Sequence, residues 1–431
     1  MARSSEPLGL AAFKPAFRDG AGEPDWLQAF RRAGAERFAA VGLPTNRLEA
    51  WKYTSLRPLA RAKYQPIPAN DTARVTAPKP LLNGAAQAVF VNGRFAPALS
   101  DLAGLGASVM GWSDAAQSDW LADVIGQSDE STSPLYALNA ASFDDGLALK
   151  LGDGAALARP LEIVHLAAPG ETPSMWHPRL VIDIGNDAKA TVVERHLAAG
   201  EGSYLANHAV DIRLGDRATL TYAKLQAEAL DGRHIAMTRV RIGAESLFDN
   251  FVLTTGAGLS RNEIAARIEG AGAELRLNGA YAIDGRQHAD HTSRIDHLAP
   301  GTTSRQVYAG AIDGNGRGVF QGHIVVDRAA QQTDGHQLNR ALMLSDHAEI
   351  DAKPILEIYA DDVKCSHGAT AGDIDDDQLF YLRARGIPAK AARRLVVRGF
   401  LANAAEGLAD ADVRAVVLGA LDAALGLENE L

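Results

Sequence analysis

The segment Leu356-Glu357-Ile358-Tyr359-Ala360-Asp361-Asp362-Val363-Lys364-Cys365-Ser366-His367-Gly368 holds the chain's single cysteine two positions before a histidine. If a strand runs through it, alternation sends Val363, Cys365 and His367 to one face and Lys364 and Ser366 to the other. A thiolate and an imidazole placed this way can reach one metal or cluster, and both donors suit iron and zinc. Two donors fall short of the roughly four that an iron–sulfur cluster takes. A site here must borrow ligands from another chain. Two other readings stay open. Cys365 can be a small buried hydrophobe beside a histidine bonded to a backbone carbonyl. The pair can also be a nucleophile and its base, which needs direct contact and an orienting group. Residues i and i+2 of a strand sit roughly 6–7 Å apart at the backbone, which does not favour that contact.

Other groups invite chemistry less strongly. The chain has 12 histidines. His288, Asp290 and His291 lie close together, with Asp284 and His297 nearby. A spacing of three puts His288 and His291 on opposite strand faces, so the group reads as a solvated turn. The acidic run Asp373, Asp375, Asp376 and Asp377 reads as helix capping and dipole stabilisation, since calcium needs a longer loop of alternating oxygens. Gly314-Asn315-Gly316-Arg317-Gly318 lacks the Lys-Ser/Thr and the strand-to-helix setting of a phosphate loop. Asp361 and Asp362 point to opposite faces, a poor acid–base pair for a glycan-cleaving β-helix. No catalytic residue is assigned, and the chain reads as a non-enzyme.

Three zones must position these residues. The first, 1–86, is helical and ends in a linker at 66–86. Asp25 is placed to cap a helix carrying Trp26, Leu27, Phe30, Phe38 and Val41, with Gly42 and Pro44 ending it. A second short helix carries Leu48, Trp51 and Leu56. The second zone, 87–373, shows short alternating runs such as Leu161-Glu162-Ile163-Val164 and Leu180-Val181-Ile182-Asp183-Ile184, with a helical insert at 115–142. Turns recur between the runs. Those starting at Gly185, Gly215, Gly243 and Gly270 are 30, 28 and 27 residues apart, and Gly314 and Ser345 follow at 31. A period of this size marks stacked coils sharing one core, so the fold class is mainly β, and the sustained period favours a β-helix over a sandwich. The third zone, 374–431, returns to helices: Asp375 and Gln378 resemble a capping box, Gly386 stops the first helix, and Pro388 opens the next.

The totals narrow the partners. The 431-residue chain has a net charge of −10 and no dense Lys/Arg run, which argues against nucleic acid. No stretch nears the roughly 18 apolar residues of a membrane span. The N-terminus lacks a signal-peptide core, and one cysteine permits no internal disulfide. A cytoplasmic location is expected.

Lys353 to Gly386, with its core Leu356–Thr370 and Phe380-Tyr381-Leu382-Arg383-Ala384-Arg385-Gly386, strongly resembles the C-terminal signature of the SufB/SufD family. Gly42-Leu43-Pro44-Thr45 with Glu49-Ala50-Trp51-Lys52-Tyr53-Thr54 resembles the N-terminal motif of its SufD side. Thr333-Asp334-Gly335 with Leu342-Met343-Leu344 adds a third match. The resemblance implies a right-handed parallel β-helix between helical ends. It also implies a scaffold that pairs with a SufB-like subunit as a heterodimer and binds a SufC-like ATPase through its C-terminal helices. Such a complex builds nascent iron–sulfur clusters and passes them to carriers. His367 then takes the position that faces a partner cysteine and serves as the metal ligand, with Cys365 beside it. The cluster is transient and shared, with none held tightly by the isolated chain, whose own state is a monomer or a homodimer. The alternative is the SufB-type sister subunit. The Trp51-Lys52-Tyr53 motif is expected to pack on the first coil.

Overall fold

The computed structural model describes residues 6–67, 75–126 and 133–427. From Arg179 onward the chain alternates between two parallel sheets, one strand to each per coil. Arg179–Ile184, Tyr204–Leu214, Gly232–Ile242, Leu259–Ile268, His288–His297, Arg317–Val326 and Glu349–Ile358 lie in the first sheet. Lys189–Ala198, Thr219–Ala227, Leu247–Thr254, Glu274–Ile283, Thr303–Ile312, Asp334–Met343 and Lys364–Gly372 lie in the second. Register follows the coil period: Lys189 faces Thr219, which faces Leu247, then Glu274, Thr303, Asp334 and Lys364 in turn. The chain is thus a parallel β-solenoid with helices at both ends, in agreement with the periodicity.

The repeating turns have a common backbone reason. Asp187, Arg217, Glu245, Gly272, Gly301 and Gln332 each occupy the left-handed region, with φ between 55° and 71°. Each donates its N–H to a carbonyl one coil on: Asp187 to Asp216, Arg217 to Ala244, Glu245 to Ala271, Gly272 to Pro300, Gly301 to Gln331, Gln332 to Asp362. The ladder lowers the cost of a conformation that a side chain disfavours. The residue after it is small and buried: Ala188, Ala218, Ser246, Ala273, Thr302, Thr333. Gly314 and Ser345 do not belong to this row. They sit in turns running from the second sheet back to the first, on the opposite edge of the solenoid. The sequence reading merged two rows because both repeat once per coil.

Inside, alternate residues divide the lumen lengthwise. Next to the ladder it is apolar, with Ile184, Leu214, Ile242 and Ile268 facing Leu220, Phe248 and Leu275. Outside the second sheet, Val193, Leu225, Phe251 and Ala309 bury Val397 and Leu401 of helix Ala389–Ala402 and Val413, Val417 and Leu421 of helix Ala411–Ala424. Each such side chain removed from water stabilises by roughly 1.5–3 kcal/mol. The C-terminal helices therefore lie along the solenoid's flank and leave its last coil uncovered.

The helical insert and the N-terminal zone are held on the outside of the first sheet by buried ion pairs. Arg179 and Asp211, at 2.7 Å and both nearly inaccessible, anchor Tyr136 of helix Pro134–Ser142, part of the expected insert. Arg261 pairs with Asp290 in the same way; Trp51 stacks 3.8 Å over its guanidinium, and the Thr54 hydroxyl donates to Asp290. Ala50 accepts from Gln321 and Glu49 pairs with Lys353. The Trp51 motif therefore straps four later coils together and does not pack on the first coil, because its anchors arrive with residues 261 to 353. Asp25 begins helix Asp25–Val41 and Pro24 is at the cap, so the carboxylate meets the helix dipole and not the capping hydrogen bond. Trp51 lies in a single 3-10 turn, and the following helix is Arg57–Arg61. The linker reading at 66–86 falls partly on 68–74, outside the described residues.

Candidate functional site

The solenoid's two ends differ. At the N-terminal end the edges are covered: Ala86–Val91 pairs antiparallel with Arg94–Phe95, and Gly146–Leu151 with Ser108–Gly111. At the other end Glu349–Ile358 and Lys364–Gly372 are the last strands of their sheets. Lys364 donates to Thr333, and Glu349 and Tyr359 donate to Gly316 and Val326. Amides alternate in direction along a parallel strand. Those of Cys365, His367 and Ala369, and of Ile350, Ala352 and Leu356, therefore turn to the open edge. Pro354 falls on that same alternation, where its missing N–H costs no ladder bond.

Cys365 and His367 stand on this last strand. They are in register with Gly335 and Gln337 beneath and share the lumen-side face, as strand alternation predicts. The Cys365 sulfur lies against Gly335, where even an added Cβ would meet it at an ordinary contact distance of 3.6 Å. Cys365 is partly buried and packs at the edge of the apolar lumen. Burial pushes its pKa up, against a smaller opposing effect of the Gly335 backbone. That is the reverse of an activated nucleophile. His367 is exposed. On the outer face, Ser366 bonds His336, whose Nε2 lies 2.7 Å from Asp334. The strand thus separates a lumen-side pair of soft donors from an outer polar pair. Exposed Ile358 and Tyr359 border the same end, with Phe380 and Tyr381 on helix Asp376–Ala384 beyond it. Asp375 caps that helix, accepting from the Asp377 N–H, the role expected of the acidic run.

The group around His288 is not a solvated turn. It lies in strand His288–His297, with His291 and His297 buried in the lumen and Asp290 buried on the outside. His288 is tied to Thr54 at 2.9 Å. His297 is spent on Thr302 and Ser304, at 2.7 and 2.9 Å. The outer half of this strand is covered by the N-terminal strap, which comes from a distant part of the chain.

A second set of donors, in mid-lumen, escaped the sequence reading. His165, Glu194, His196, His208, Glu228 and His234 are all buried there. They are dispersed in sequence and meet only through coil stacking, which sets His165 directly against His196. Their signal was the coil period itself: 31 residues separate those two histidines.

Parallel β-solenoids with helical ends and one donor-bearing open coil form a structural class into which this chain falls. Residues 166–400 match the family model described as SUF system FeS cluster assembly, SufBD core domain, and residues 20–163 match the SufBD protein N-terminal region. The chain belongs to the SufBD family, and its role is in iron–sulfur cluster assembly. It is similar to the iron–sulfur cluster assembly protein SufD of Escherichia coli, with 30% identity across 91% of this chain and 94% of that one. A SufBD family protein of Synechocystis is 31% identical across 86% of this chain and 85% of the relative. The chloroplastic protein ABCI7 of Arabidopsis thaliana is 27% identical across 90% and 84%. Among the described residues no helix is long and apolar enough to cross a membrane.

Proposed function

We propose that this chain is a non-catalytic scaffold subunit whose open coil meets a SufB-like partner, and that His367, with Cys365 in support, contributes ligands to a nascent iron–sulfur cluster at that junction. The observation that carries the reading is the pairing of an uncovered double sheet edge with a donor set too small to work alone. Exposed strand edges are ordinarily blunted or paired. Here each sheet ends on a strand of nine or ten residues, and a partner coil can continue both. It would bring its own donors to within reach of His367, supplying the roughly four that a cluster takes. The cluster is cargo, passed on to carriers. Helices Ala389–Ala402 and Ala411–Ala424, fixed on the second sheet, and the preceding helix Asp376–Ala384, with Phe380 and Tyr381 exposed, suit a further contact with a SufC-like ATPase.

The test is reconstitution of the purified complex with SufB-like and SufC-like subunits, followed by cluster absorbance under anaerobic iron and sulfide supply. His367→Ala is expected to leave assembly of the complex intact and to lower cluster yield several-fold, with a smaller loss for Cys365→Ala because its thiol is partly buried. Undiminished yield from an intact His367→Ala complex would remove His367 from the ligand set.

A further inference from the structure

The mid-lumen histidines form a site of their own, remote in register from the terminal coil. One ligand atom from each of His165, Glu194, His196 and His208 lies within 4.8 Å of every other, and His196, Glu228 and His234 form an overlapping set by the same measure. The imidazoles crowd together. His165 and His196 stack at 4.6 Å between centroids, His208 stands edge-on to both, and His234 lies 4.6 Å from His196. All of these residues are at most 6% exposed.

Two features of this cluster ask for a cation. The first is the carboxylate of Glu194, which is 1% exposed and whose ion-pairing contacts are to His165 and His196. It accepts from His196 Nε2 at 2.9 Å and from the Tyr222 hydroxyl at 2.5 Å. The nearby Lys224 ammonium is directed elsewhere, to His234 Nε2 and Asn262 Oδ1, each at 2.8 Å. A buried carboxylate among imidazoles is costly unless one of them is protonated or a metal balances it.

The second is the set of ring nitrogens without partners. His165 makes no hydrogen bond through either nitrogen, its Nε2 standing 3.4 Å from Glu194 without the geometry for one. Nδ1 of His196 and Nε2 of His208 are unpartnered too. Each such buried nitrogen costs about 1–3 kcal/mol when left unsatisfied. Neutral imidazoles with unused lone pairs are the form that binds metal.

We propose that His165, Glu194, His196 and His208 bind one divalent first-row transition-metal ion inside the solenoid. Three imidazoles and a carboxylate are donors for zinc, iron and their neighbours, and are poor ones for calcium or magnesium. Tyr222, bonded to the far oxygen of Glu194, then acts as the outer partner that fixes the carboxylate. Glu228 and His234, 2.8 Å apart, form an adjoining pair that steadies Lys224.

The experiment uses the full chain, stripped with a chelator and then dialysed anaerobically against Zn²⁺, Co²⁺ or Fe²⁺ alone. Bound metal is read by elemental mass spectrometry, and the Co²⁺ form by its visible ligand-field bands. Near-stoichiometric retention is expected, with a raised melting temperature. Glu194→Gln, nearly isosteric and safe for folding, should weaken binding more than about 100-fold, the upper range for a mere outer-shell change. His208→Ala should do the same and abolish the Co²⁺ bands. His367→Ala should retain metal fully, which separates this site from the terminal coil and from the proposed scaffold role. The proposal is overturned if the unmodified chain retains no metal, if Glu194→Gln and His208→Ala bind as well as it does, or if His367→Ala loses the metal.

Discussion

The middle of the lumen and the terminal coil are made of the same parallel strands in the same register, yet they treat their donors oppositely. In the middle, coils lie on both sides and every inward side chain is dry. His165, His196, His208 and His234 are buried there with two glutamates and a lysine. At the end, one neighbour is missing. His367 also points inward, in the row of Gln337 and Gln306, yet it is exposed, and Cys365 is only partly covered. The difference comes from position in the stack and not from residue type. A donor inside must find its partners within the chain, whereas a donor at the edge can wait for another chain.

Acid should expose the contrast most strongly. His177, His291 and His297 are deep in the structure, and burial pushes them down to about 3, about 4 and about 4. Unfolded histidine titrates near 6.5, so between these values the unfolded chain binds more protons than the folded one. The stability these groups contribute is full above about pH 6.5 and is lost as pH falls toward about 4. Urea midpoints followed by circular dichroism should drop steadily over that window. A flat profile would mean that these inner histidines are not buried neutral, and the contrast between interior and open end would fail.

The strap on the outside of the central coils gives the next largest effect. Arg261 and Asp290 are both fully inaccessible, and Trp51 and Thr54 close over them. Asp290→Ala leaves the buried guanidinium with Glu263 as its remaining ion-pair partner and should cost about 3 kcal/mol in urea unfolding. Protease cleavage near residues 45–65 should rise with it. A loss well under 1 kcal/mol would show that the strap rests on the solenoid without helping to hold it.

Much of this architecture was legible in sequence because stacking repeats itself. The turn spacing at Gly185, Gly215, Gly243 and Gly270 revealed the coil, since each turn needs a left-handed residue followed by a small one. The alternation that put Cys365 and His367 on one face also held. What escaped was whatever depends on contact between distant coils. His208 and His234 look like isolated histidines until the register brings Ala206 beside His234. The His288 segment looked solvated because its cover, Thr54, lies 234 residues away. The Trp51 motif gave no hint of where it docks, because the aromatic ring states an appetite for a cation and not which of the chain's many arginines meets it.

The smallest effect on the fold, and the sharpest on the comparison, concerns single amides of the last strand. Ladder bonds alternate, so the Gly368 amide faces the preceding coil and that of Ala369 faces the open edge. Proline removes a donor in either place. Ala369→Pro should shift the melting temperature little, as Pro354 is already tolerated in the companion edge strand. It should nevertheless weaken association with a SufB-like partner by about 10-fold or more, equal to about 1.4 kcal/mol. Gly368→Pro should instead loosen the coil itself, because the lost bond is internal and a Cβ there meets Leu338 at 3.2 Å. Melting curves and titration calorimetry on both variants separate the two outcomes. Unchanged association for a folded Ala369→Pro chain would mean that the partner does not extend this sheet edge, and the uncovered coil would then need a different explanation from the one that distinguishes it from the lumen.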